Sequence, residues 1–455
     1  MRTQLIALAI LAATTAVRAD DWPTVRHDPL NTGASAAAVT PPLTKMWTKM
    51  GATGEPIIIA GNTLLYTAKQ GKVGLRDLVA MDAVTGKPLW TVKNVAQTGA
   101  ASANLGLAFT VVRTSAEPTS VSRFGANLWP TSIVALEIKT GKRKWAYPIG
   151  DHPTYPGVSP LTVAGGILYM VNIPYCLPPD RCQGGLIALK ASDGSEMAKY
   201  EWSDLWQQQI GVVDGPPIVD IKNNQIWVSL GYNIAPQTPG GQLWIFPADE
   251  KLADGPIAKL GDPGADESAP ASDAHKYGDS WPMKAGDYLS VQGPRAIAQS
   301  WLMTGTAAQA MWETRFTKDV AHSVLRGGSK PIVLEYNGGI RLLSAMFANT
   351  AKLAWSKTLR ATALSATAGP VVYVPAEGKR QADGTLYALD ALTGNTLWSE
   401  TRKSVQFNAP SLANGRLFVS DTAGTLTCYL GSTPKSAVSK KRQTANSNKG
   451  KRSNG

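Results

Sequence analysis

Three cysteines, four histidines and one cluster of acids are the side chains in this sequence best suited to chemistry, and their spacing narrows what that chemistry could be. Cys176 and Cys182 bracket the loop CLPPDRC. In an oxidising compartment, two thiols across a short proline-containing loop are natural disulfide partners, and the bond would staple the loop rather than serve as a redox centre. Free thiols or a partial metal site are the alternatives, but a metal would need further ligands nearby in sequence, and there are none. Cys428 falls within the apolar pattern Thr425 to Leu430 and reads as a small buried hydrophobe. His27, His152, His275 and His322 stand apart at no metal-ligand spacing, HExxH is absent, and no zinc site is expected. There is no GxSxG elbow and no recognisable triad. Asp262, Asp266 and Glu267 crowd one polar stretch without the ligand spacing of a calcium loop, and read as solvated surface. The sequence therefore assigns no catalytic residue and no metal ligand.

The two ends of the chain carry different signals. Arg2, the apolar run Leu5 to Ala13 and the small residues of Val17-Arg18-Ala19 form an export signal with cleavage expected after Ala19. No cysteine follows the run, so no lipid attachment is expected, and no apolar stretch reaches the roughly 20 residues needed to span a bilayer as a helix. The formal charge of +12 is concentrated in the tail, where Lys435, Lys440, Lys441, Arg442, Lys449, Lys451 and Arg452 occur without a single acid. That tail, 433–455, is nearly devoid of apolar residues and is expected to be disordered. It also lacks the aromatics that would stack on nucleic-acid bases, so no specific nucleic-acid partner is expected. The expected product is a periplasmic or secreted monomer.

Between the ends lies a repeat. Leu78 to Trp90, Ile133 to Trp145, Leu186 to Trp202 and Leu386 to Trp398 each give an alternating apolar strand, a turn ending in glycine, and a second strand ending in tryptophan. Self-similarity at this period specifies an array of small sheets. The reading is an all-β chain over 20–432: an eight-bladed β-propeller of four-stranded antiparallel blades. Trp47, Trp90, Trp145, Trp355 and Trp398 recur with the repeat, so they are expected to pack one blade on the next rather than to stack a cofactor. The last blade supplies only three strands before about Gly431, while Leu43 to Met50 is a lone strand of the missing type. An N-terminal strand closing the ring resolves both deficits. Asp21 to Ser35 reads as an irregular polar lead-in, Asp262 to Ala285 as a poorly patterned link, and Gly286 to Phe316 as the weakest blade.

These units, most complete in ALDALTGNTLW (Ala388 to Trp398) and AMDAVTGKPLW (Ala80 to Trp90), resemble the repeats of the pyrroloquinoline-quinone-type propeller superfamily. WPTVRHDPLNTG (Trp22 to Gly33) is also similar to the start of many exported members. The resemblance implies the propeller fold over roughly Trp22 to Gly431 and two kinds of function. Quinoprotein dehydrogenases oxidise alcohols or sugars with the quinone and calcium on the axis, under a disulfide of adjacent cysteines. Here Cys176 and Cys182 are not adjacent, the calcium ligands and catalytic Asp have no counterpart, and CxxCH is absent. The non-catalytic, BamB-like branch keeps the repeat without the cofactor site, and this chain stands nearer to it. The leading expectation is a non-enzymatic protein that binds or scaffolds protein or envelope-polymer partners through Arg113 to Trp129, Ile173 to Gly185 and Asp262 to Ala285. A quinone- and calcium-dependent dehydrogenase and a glycan-binding propeller are the alternatives.

Overall fold

In the computed structural model the described residues are 21–432 except 36, 71–75, 116, 122–126, 153–157, 178–180, 202–214, 231–241, 261–282, 286–287, 294–296, 305–306, 316–319, 322–331, 338–341, 348–349 and 351. The expected export signal, the basic tail, Trp202, His275, His322, Asp262, Asp266 and Glu267 thus lie outside them. Among the described residues no helix is long and apolar enough to cross a membrane.

The strands pair in sequence order into four-stranded antiparallel sheets, the blades of an all-β propeller; among the described residues eight such groups can be traced. Ile58–Ala60, Thr63–Lys69, Arg76–Asp82 and Pro88–Val95 form the first. The second runs from Ala100–Ser102 to Arg143–His152, joined to the first by the single pair Val95–Val112. The pattern within a blade follows from where each strand sits. Middle strands are covered on both faces, so Leu64 to Thr67 and Leu78 to Met81 are buried in unbroken runs. The outer strand Pro88–Val95 is covered less and alternates.

The last blade is completed across the whole length of the chain. Thr44–Met50 pairs antiparallel with Thr425–Leu430, beside Arg416–Ser420 and Ser411–Ala413. The first blade consequently has neighbours on both sides. Ile58, Leu65 and Ala80 meet Ala101, Ala108 and Val134 of the second. Ile59, Leu64 and Met81 meet Leu412, Phe418 and Cys428 of the last.

Two sequence readings shift. The inner strand of the weak blade is Met283–Ala285, the last residues of the stretch read as a link, ahead of Tyr288–Gly293, Ile297–Thr304 and Ala307–Arg315. In the third blade the register puts Ala198 opposite Ala188, just as Trp90, Trp145, Trp355 and Trp398 stand opposite Ala80, Ala135, Ala345 and Ala388. Ala198 therefore holds the repeat's tryptophan position in this blade. Tyr200 packs tilted against Phe246, ring centres 5.3 Å apart, and covers Gly255, at the end of a short 3₁₀ turn, Glu250–Asp254, that replaces the Thr-Gly turn in the fourth blade.

Candidate functional site

The repeated signature is an interlock between blades. In the Asp-x-x-Thr-Gly turn, Asp82 Oδ1 accepts from the amides of Val84 and Thr85 and from the Thr85 hydroxyl. The Thr85 amide, followed by the other bonds, holds the Asp82 carboxyl below its ordinary range. Asp390 is bound in the same way by Leu392 and Thr393. The turn so fixed receives the tryptophan of the preceding blade. Trp90 Nε1 donates to the Ile138 carbonyl at 2.8 Å, Trp145 to Ala191 at 3.0 Å, and Trp355 to Ala391 at 3.0 Å. Trp47, from the closing strand, donates to Ala83 and Val84. Each ring lies on the turn glycine, so a Cβ added at Gly86, Gly141, Gly194 or Gly394 would fall 2.6–2.8 Å from ring carbons. Trp398 faces the blade whose outer strand comes from the N-terminal side and which therefore has no such turn; it meets Tyr429 edge-on at 5.6 Å. Cys428 takes the alanine-like position opposite Trp47 and is buried, which pushes its thiol up to about 12 against a weaker opposing pull from Arg416.

The axial end near the turns linking inner and second strands is occupied by the lead-in. Inner strands leave one edge unpaired, and buried backbone groups need partners. Residues 22–35 supply them as a string of carbonyls: Trp22 accepts from Ile59, Pro23 from Ala101, Pro29 from Val219, Leu30 from Lys284, Gly33 from Thr367 and Ser35 from Gly369. Ala34–Ser35 runs parallel to Thr367–Ala368 as an added strand. Asp28 organises this irregular course, its carboxylate accepting from the amides of Leu30 and Thr32 and from the Thr32 hydroxyl. His27 adopts φ +74° and meets Trp22 edge-on at 4.9 Å. Arg26 is buried, its guanidinium 2.7 Å from Met283 Sδ; burial lowers its pKa to about 10, against a weaker opposing effect of Asp28. Lys284 and Asp220 form a buried ion pair between two inner strands. Burial alone would raise the Asp220 carboxyl, but its bonds to Lys284 and Asn223 bring it below the ordinary value.

Strands alternate in direction, so the long connections between second and third strands emerge at the other end. In the first of these, Arg113 to Trp129, Ser120–Val121 pairs with Asn127–Leu128. The Thr119 and Ser120 hydroxyls donate to Asp151, and the Arg113 guanidinium lies 4.0 Å from the centre of the Trp129 ring. Val121, the last residue of that short strand, is 54% exposed. In the second, Cys176 and Cys182 stand directly opposite one another across the hairpin of Ile167–Leu177 and Arg181–Lys190. Residues directly opposite have Cα atoms about 4.5–5.5 Å apart, within the span of a disulfide. The stretch 262–285 is not such a connection; in sequence it falls between the fourth and fifth blades, and it is described only in Met283–Ala285.

A quinone with calcium would need several oxygen donors converging on the axis. Among the described residues no three His, Cys, Asp or Glu side chains gather to hold a metal. Asp28 and Asp220, the acids near the lead-in, are already taken by the chain's own amides, hydroxyl and ammonium groups. The described residues do not fit that centre. Sequence reasoning missed the lead-in's role because its contacts are made by backbone carbonyls, which every residue type carries.

Comparison with known proteins agrees with this architecture. A crystal structure of BamB from Moraxella catarrhalis aligns with TM-score 0.53 at 14% identity, covering 85% of this chain and 99% of that one. A europium-containing methanol dehydrogenase aligns with TM-score 0.60 at 10% identity over 89% of each chain, and the Dos1 propeller with TM-score 0.51 at 9% identity over 85% and 95%. At such identities these likenesses bear on fold alone. No curated protein sequence matches the chain. The family model described as outer membrane protein assembly factor BamB matches residues 32–259 and 304–449, and the chain belongs to that family.

Proposed function

We propose that this protein is an exported, non-enzymatic propeller that holds a protein or envelope-polymer partner through the insertions 113–129 and 173–185 and the stretch 262–285. One observation carries the reading: the described residues of the first insertion are tied to their blade. Its short hairpin is fixed by Asp151 and by the Arg113–Trp129 stack, and it presents Val121 to solvent. A hairpin held by such contacts gives up less conformational entropy on binding than a free loop would, so contact made beside it is converted more efficiently into affinity. Membership of the BamB family supports a partner-holding role in the cell envelope, reached through the export signal at residues 1–19.

The test is capture from a detergent-solubilised envelope fraction with the purified protein and two variants, Val121→Asp and a chain ending at Ser432. We expect a discrete partner that is kept by the shortened chain and reduced at least tenfold by Val121→Asp. Loss of every partner with the tail would instead place recognition in residues 433–455. Reconstitution with pyrroloquinoline quinone and calcium is expected to give no bound-cofactor absorbance band and no dye reduction with alcohols or sugars. A band accompanied by turnover would replace this reading with a dehydrogenase.

A further inference from the structure

Five inner strands donate the amide of their middle residue to the lead-in: Ile59, Ala101, Val219, Lys284 and Thr367. Val163 holds the same place in Thr162–Ala164, standing opposite Leu168 as Ile59 stands opposite Leu64. The lead-in touches the blades on either side, through Pro23 to Ala101 and Pro29 to Val219. Between those anchors it turns away, and among the described residues none of its carbonyls takes the Val163 amide. Leu412, the matching residue of the last blade, also lacks this bond, but it is fully buried and out of reach of an incoming chain.

The turn-away leaves a cavity of about 550 Å³ over the inner edge of the third blade. Val163, Pro23, Leu30, Leu105 and Ile221 supply its apolar walls, with Lys222 beside them. Leu105 and Ile221 are 38% and 47% exposed, so apolar surface flanks its mouth. The nearby acids are engaged by the chain itself: Asp21 accepts from the Gly61 amide and Asp28 from Leu30 and Thr32. A third lining acid, Asp220, is paired with Lys284, so what the cavity offers a ligand is a strand amide and an apolar trough, with Lys222, Ser102 and Asn104 as polar lining. Strand edges with unused donors are templates for a further strand. In this molecule two equivalent edges already take extended chain: Trp22 exchanges both backbone bonds with Ile59, and Ala34–Ser35 adds beside Thr367–Ala368.

We propose that this cavity takes an extended peptide segment of a partner protein, which adds to the third blade's inner edge as Trp22 adds to the first. Its carbonyl accepts from Val163, an apolar side chain enters between Leu105 and Ile221, and an acidic neighbour meets Lys222. The proposal rests on the partner-holding reading above but concerns the opposite end of the propeller from the insertions.

The probe is a peptide selected against the purified protein from a random linear library, followed by fluorescence anisotropy. Selected peptides are expected to alternate apolar residues with an acid. Leu105→Asp and Ile221→Asp, both at exposed positions, should each weaken binding at least tenfold. Val163→Pro should remove it, because proline takes away only an amide that the blade's own ladder does not use. Hydrogen exchange read residue by residue needs no variant: the Val163 amide should exchange faster than those of Ile59, Ala101 and Val219 in the free protein and slow on peptide binding. Peptides that bind with Val163 exchange unchanged and affinity insensitive to Leu105→Asp and Ile221→Asp would overturn the proposal, as would a library that yields no binder. Envelope capture that depends on Val121 would survive either failure, so the two readings are separable.

Discussion

Replacing Gly141 by alanine measures how much the interlock between blades contributes. Gly141 sits at φ +70°, where an L-residue is strained by roughly 1–2 kcal/mol. Its new Cβ would also lie 2.7 Å from Trp90 Cδ2. The ring would have to move off the turn, adding about 1–3 kcal/mol of overpacking and weakening the indole bond to Ile138, itself about 0.5–1.5 kcal/mol. We expect a total near 4 kcal/mol in urea unfolding. Gly106 is the internal control: its φ is +64° and a Cβ added there would meet no atom within 4 Å, so Gly106→Ala should cost only the backbone strain. In a Trp90→Ala background the clash disappears, and the Gly141→Ala increment should fall to that of Gly106→Ala. Equal costs at the two glycines, or an unchanged increment without Trp90, would refute the argument that the ring's seat is what excludes a side chain at Gly141.

Three further outcomes are expected. Asp28→Ala strips the lead-in of three bonds to one carboxylate and should lower stability by about 2–3 kcal/mol, with new protease cleavage within 24–33 under native conditions. The carboxyls of Asp82, Asp220 and Glu400 are held below their ordinary range: Asp82 by turn bonds, Asp220 and Glu400 despite burial, which opposes the shift, by bonds to Lys284 and Asn223 and to Tyr429 and Arg402. The unfolded chain therefore takes up protons first, near pH 4, and stability is lost as pH falls through the lower folded values. Asp220→Asn should flatten that slope while costing about 3–5 kcal/mol at neutral pH by stranding the Lys284 ammonium, as read by urea titrations at several pH values. Finally, peptide mass mapping without reductant should find Cys176 and Cys182 joined and Cys428 unalkylated in the native protein; alkylation of all three before reduction would remove the loop staple.

The parts of this fold legible in sequence are those that a side chain must perform. The Thr-Gly turn needs the aspartate's acceptor and a glycine beneath a ring, and the ring needs an indole N–H, so Asp82, Thr85, Gly86 and Trp90 announce themselves wherever the set recurs. The closing strand could be read from a deficit, since the last blade lacked an outer strand and Leu43 to Met50 lacked a sheet. The interlock's exception lies in the spacing: Trp90, Trp145 and Trp398 each follow the turn glycine by four residues, the tryptophan after Gly194 follows by eight, and the strand register gives the position to Ala198. Met283–Ala285 is short and sits against a polar stretch, so nothing periodic marked it. The lead-in left the weakest trace: its work is done by the carbonyls of Trp22, Pro23, Pro29, Leu30, Gly33 and Ser35. Any residue could offer those, and only the turn around Asp28 gives a local reason for the path.

Closure by Thr44–Met50 also fixes an order of events during synthesis. Met50 and its partner Thr425 are 375 residues apart, so the strand that leaves the ribosome among the first must wait for one among the last. Contacts of such separation form slowly, because the loop entropy must be overcome before the pairing stabilises anything. Until then the first blade lacks the cover that Leu412 and Phe418 provide, and an exposed strand edge stays available to other chains. A nascent chain of this design is best kept unfolded until its closing partner strand has emerged, a demand that threading through an export channel in extended form would meet by itself.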